Sequence, residues 1–161
     1  MQKKIFKNMC LLALVAVVLS SLLIALVYYA SFDNRMKNEV REETQFVRNA
    51  VELSGEEYLQ TVAGTPNRIT LIDGDGTVLY DNQAEAASME NHGDREEVRE
   101  ALTGGAGEAT RMSGTLSEQT FYYAVKLQNG QVLRVAAETD SVFAALLSIL
   151  PWIIGVALVA A

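Results

Sequence analysis

Two uncharged apolar runs, residues 9–32 and 141–161, bracket a segment whose hydrophobic positions recur on shorter periods. The first run exceeds the roughly 20 residues that cross a bilayer as helix, and the second is about that length. Both are apolar on every side, unlike the amphipathic helix of a soluble core, and each predicts a membrane span. A cleaved signal peptide has a shorter apolar core, about 7–15 residues, ending in a small-x-small site. Tyr28 stands where a small residue would be needed, so an uncleaved anchor is expected. The second run contains Pro151 and continues to Ala161, and a fragment of a longer chain is expected.

Between the runs, residues 33 to about 62 lack Pro and predict a helix that prolongs the first span. Met36, Val40, Val47, Ala50 and Ser54 fall on a spacing of four and three, with Glu43 at the vacant step. That stripe is either a coiled-coil seam for a second helix or, with Phe46, Val51 and Leu53, the cover of the domain's own sheet. Two β-rich runs, 68–72 and 77–81, flank Asp73-Gly74-Asp75-Gly76. A calcium loop beginning at Asp73 would need Gly at its sixth position and Glu at its twelfth; Val78 and Ala84 stand there. The four residues instead suit a bulged hairpin with Gly76 at positive φ.

A polar loop follows, then a short helix over 95–102, capped by Asp94 and ended by Gly104 and Gly105. Residues 108–113 predict a strand, and "TFYYAVKL" and "QVLRVAAE" predict a hairpin across a two-residue Asn129-Gly130 turn. In that register Val125 opposes Arg134 and Tyr123 opposes Ala136, so Tyr123 and Arg134 share a face. The element order is α+β: an antiparallel sheet of about five strands with helices on it, flanked by two transmembrane helices.

Charge orients the chain. Lys3, Lys4 and Lys7 precede the first span and Asp33 follows it, which predicts residues 1–8 in the cytoplasm and 33–140 outside. The net charge is -7, and removing the cytoplasmic lysines leaves the outer domain more acidic still, a poor nucleic-acid binder. Cys10 is the only cysteine and lies in the first span, so no disulfide is available to the outer domain. Catalytic residues are not expected, because no serine or cysteine nucleophile stands at a recognisable spacing from His92, the only histidine. His92 also lacks a partner set for a metal; it either hydrogen-bonds its loop to the next helix or titrates in mild acid. The pairs Glu42-Glu43, Glu56-Glu57 and Glu96-Glu97 read as solvated helix faces.

The stretches "RITLIDGDGTVLYDN", "MENHGDREEVREAL", "GGAGEATRMSGTLSEQTFYYAV" and "LRVA" resemble the extracytoplasmic PAS-like or single Cache sensor of bacterial phosphate-regulon-type sensor histidine kinases. The most particular part is Met89-Glu90-Asn91-His92 with Asp94-Arg95. The resemblance implies a cell-membrane homodimer whose outer domain signals to cytoplasmic HAMP, phosphoacceptor and ATP-binding domains and thence to a response regulator. ATP and magnesium would belong to that cytoplasmic portion, and no cofactor is expected in this segment. It also implies a ligand pocket on one face of the sheet, where Arg111, Tyr123 and Arg134, with His92 nearby, would clamp a small anion. The other readings are arginines paired with surface carboxylates and a domain that serves only to dimerise. A chemoreceptor or cyclic-dinucleotide enzyme would share this input, and a non-catalytic two-span interaction protein would share its layout.

Overall fold

A computed structural model describes residues 2–112 and 118–140, together with Gly155. Apart from Gly155, the expected second span at 141–161 lies outside the described residues. The chain separates into two compact units, one of residues 35–139 and one of residues 1–34 with 140–161.

The helix α1 (Gln2–Ser54) is a single element. Its apolar part reaches a mean hydropathy of 2.2 over 18 residues, long and apolar enough to cross a membrane. It stops at Gly55, whose φ of +83° ends the helix by the left-handed conformation that glycine adopts at no steric cost. The expected extension to residue 62 is instead a separate turn, α2 (Tyr58–Thr61).

The second unit is a five-stranded antiparallel sheet in the order β2-β1-β5-β4-β3. Its strands are β1 (Arg68–Ile72), β2 (Val78–Asp81), β3 (Ala106–Met112), β4 (Glu118–Lys126) and β5 (Val132–Asp140), the last at the centre. A 3-10 turn (Ala86–Ser88) and α3 (Glu96–Gly104) join β2 to β3. One face meets α1: Met36, Val40, Val47 and Val51 pack with Ile69, Leu71, Phe121, Val125, Leu133 and Val135. Met36, Val40 and Val47 of the expected stripe, with Val51, therefore cover the chain's own sheet, while Ala50 is half-buried and Ser54 exposed. Phe46 and Leu53, 67% and 88% exposed, do not join it. The other face meets α3, where Val98 and Ala101 pack on Ile72, Ala124 and Val132. Gly107 lets this helix lie close, since a Cβ there would collide with the Glu97 carbonyl.

Both hairpins close in the same way. Asp73 N donates to Thr77 O at 2.7 Å and Gly76 N to Asp73 O at 2.9 Å; Leu127 N donates to Gln131 O at 2.8 Å and Gly130 N to Leu127 O at 3.1 Å. Each loop thus holds three residues and ends in a glycine at φ near +90°. The Asp-Gly hairpin is as expected. The second has one residue more than the two-residue turn expected, and a one-residue slip sends every side chain of a strand to the other face.

Candidate functional site

Strand pairing determines what the α3 face carries. Thr70 opposes Arg134 and Arg68 opposes Ala136 between β1 and β5. Arg111 opposes Thr120, and Ala109 opposes Tyr122, between β3 and β4. Arg111, Tyr122, Arg134 and Thr70 consequently gather under α3. Tyr123 does not: it packs on the α1 face, with the Arg41 guanidinium 6.0 Å from its ring. The three-residue loop at 128–130 is the reason Tyr123 and Arg134 do not share a face as expected.

What the two arginines share is Glu97. This side chain is fully buried. One oxygen accepts from Arg111 Nη2, and the other accepts from Arg134 Nη1 at 3.2 Å. Both guanidinium groups lie over the Tyr122 ring, 4.3 Å and 5.2 Å from its centre. The ring's negative face adds to the anchoring of two cations held side by side. The network continues from Arg134 Nη2 to Thr70 Oγ1 at 3.2 Å, and from Thr70 Oγ1 to Asp81 Oδ2 at 2.9 Å. Arg68 Nε donates to the same Asp81 oxygen at 2.9 Å. The other Asp81 oxygen accepts from the backbone of Gln83 and Ala84.

Glu97 was expected on a solvated face and is instead the centre of the site. Burial alone would raise its pKa, but the Arg111 hydrogen bond and the charges of both arginines hold it below the ordinary value. Asp81 behaves alike: Arg68, Thr70 and the Gln83 amide overcome burial and lower it. Burial pushes Arg134 down despite Glu97, whereas Glu97 outweighs burial at the more open Arg111 and raises it. Both remain cations, since arginine starts far above neutrality.

Residues 27–133 match the profile of a family described as single Cache-like. The chain belongs to the single Cache-like family. None of the curated proteins matches it. A Cache domain is an extracytoplasmic sensory, ligand-binding input region, and here it follows one apolar helix, the layout of a membrane-anchored protein.

In this Cache domain His92 is buried, 7% exposed, and sits in the loop that leads to α3. Its backbone N–H donates to Gly76 O at 2.8 Å, and Asn91 Nδ2 donates to Asp75 O at 3.0 Å. The loop therefore clamps the Asp-Gly hairpin, at a glycine where a Cβ would strike Asn91 and Gly93. Burial, then Arg134, Arg95 and Arg68, lower the imidazole to about 4. Such a group is neutral in mild acid, which speaks against the titrating one of its two readings. Its Nδ1 and the Nε of Arg134 are enclosed and make no hydrogen bond among the described residues. The cap expected from Asp94 is absent: Arg95 is the N-cap of α3 and makes no side-chain cap.

Of the residues singled out in the sequence, Arg111 and Arg134 come together and His92 lies close enough to Arg134 and Glu97 to feel their charges. Glu97, Tyr122, Thr70 and Asp81 were missed. A signal for Glu97 existed: it stands four residues before Ala101 and next to Val98, on the apolar arc of α3.

Proposed function

We propose that the chain is the sensory input region of a membrane-bound two-component sensor histidine kinase of the phosphate-regulon type. Its N-terminus lies in the cytoplasm, its Cache domain outside, and a second span at 141–161 returns the chain to the membrane. It works as a homodimer, relaying changes in the domain to a cytoplasmic kinase that phosphorylates a response regulator. A small-molecule or protein ligand is recognised outside, through the α3 face that bears Arg111 and Arg134.

The observation that carries this reading is that α1 unites both ends of such a relay. One helix holds the apolar stretch and also Met36, Val40, Val47 and Val51, which close the core of the sensory domain. A rearrangement of sheet against helix has a direct route along α1, provided the stimulus prefers one of two states.

The test is a fusion of residues 1–161 to the cytoplasmic half of a sensor kinase whose phosphotransfer is easily assayed. Glu97→Gln, which disturbs the α3 face, is expected to change phosphotransfer severalfold. A two-span interaction protein without a signalling role would leave phosphotransfer unchanged. Alkaline phosphatase joined within 33–140 should be active, and an inactive fusion would contradict the orientation.

A further inference from the structure

The α3 face holds an arrangement usually made between a receptor and a ligand. Two arginines from different strands, β3 and β5, each take one oxygen of a single carboxylate over an aromatic floor. The carboxylate belongs to the protein itself. We propose that Glu97 is an internal ligand: it fills an anion seat that recognises small free carboxylates, and such a ligand binds by displacing Glu97 and loosening α3 from the sheet. This inference rests on the sensory reading above and names the ligand class of the same site.

Three features support displacement over a permanent ion pair. Arg134 keeps its Nε, nearly sealed from water, without an acceptor. Glu97, approaching only Nη1, leaves that donor unused, whereas a free carboxylate can engage Nε and Nη of one guanidinium together. His92 Nδ1, also without a partner, adds a second unmet polar atom in the loop entering α3. Finally, Glu97 belongs to the first turn of α3, whose N-cap residue, Arg95, makes no side-chain cap. An uncapped first turn opens at lower cost than the turn after it, where Ala101 is packed, although Val98 must leave the core with Glu97.

The tether makes Glu97 a strong competitor. A group held on the same chain acts at an effective concentration of about millimolar or above, so a free carboxylate must exceed that to occupy the wild-type seat. Removing the internal carboxylate should therefore raise affinity for a free one by about tenfold or more.

The experiment uses the full chain in lipid nanodiscs, titrated calorimetrically with sodium acetate against sodium chloride and inorganic phosphate at equal ionic strength. The expected result is an apparent Kd for acetate at least tenfold lower in Glu97→Ala than in wild type, lost again when Arg111→Gln is added. In wild type, saturating acetate should speed hydrogen exchange at residues 98–102. Glu97→Gln, which keeps the side-chain volume, carries the same comparison should the alanine variant fail to fold. Equal acetate affinity in wild type and variant overturns the proposal, as does binding of phosphate without acetate. Phosphotransfer that responds to Glu97→Gln with no acetate binding would leave the sensory reading standing and end this one.

Discussion

Arg134 and Glu97 meet at 3.2 Å with their side chains 4% and 0% exposed. Removing one member of a buried pair strands the other charge, at a cost of about 3–5 kcal/mol. Glu97→Ala is expected to lose that much, since it strands Arg134 and also frees Arg111. A joint Glu97→Leu, Arg134→Met replacement should lose far less, because a well-packed apolar pair has no charge to desolvate. Urea unfolding of both variants in detergent, followed by far-ultraviolet circular dichroism, measures the difference. Equal losses would show that packing, not charge, holds α3 down.

His92 makes stability depend on pH in a defined direction. Its pKa falls from 6.5 in the unfolded chain to about 4 in the folded one, so the unfolded state binds the extra proton between those values. Stability is complete above about pH 6.5, declines as pH falls, and its contribution is lost by about pH 4. The loss is on the order of 3 kcal/mol at most. Glu97 and Asp81, both lowered, add a separate loss at more acid pH, below their unfolded values. His92→Gln should flatten the slope between pH 4 and 6.5 and leave the acid limb in place, as read from thermal unfolding across pH.

Gly76 and Gly130 offer a controlled comparison. Both have φ near +90° and both end a three-residue hairpin loop, yet a Cβ at Gly76 would strike Asn91 and Gly93 while one at Gly130 would meet open space among the described residues. Alanine at Gly130 should cost about 1 kcal/mol, the conformational part alone. At Gly76 the same change must also dislodge the loop that positions His92, so the loss should clearly exceed that figure. Melting temperatures of the two variants decide it; indistinguishable values would mean that the loop is not clamped.

The plan of helices on a sheet was legible because alternation along the strands and the three-four spacing on α1 are local patterns. Met36, Val40, Val47, Ala50 and Ser54 could be placed on one helical stripe, but which of them met the sheet, and whether a second helix was needed, depended on tertiary packing. The site was half legible. Arg111 and Arg134 stand out as cations in apolar strands, whereas one residue more or less in the 128–130 loop decides whether Tyr122 or Tyr123 shares their face. Glu97 stayed hidden because adjacent glutamates on a short helix look alike until strands distant in sequence bring arginines to one of them. Asp81 and Thr70 were masked similarly, each at a strand position whose partner is another strand.

Met36, Val40 and Val47 lie against the domain's own sheet, so the homodimer proposed above needs another surface on α1. Exposed Phe46 and Leu53, with half-buried Ala50 between them at steps of four and three, have the spacing of a helix-pairing stripe that this dimer would use. An Asn49→Cys substitution, in a chain with Cys10 replaced by alanine, should therefore form a disulfide between copies in membranes. Adding Phe46→Glu and Leu53→Glu should abolish that cross-link while changing domain stability by no more than about 0.5 kcal/mol, as for exposed positions generally. Val47→Glu, one step round the helix, should unfold the domain because Val47 is buried against the sheet. A cross-link that persists in the double glutamate variant would place the dimer contact on some other surface.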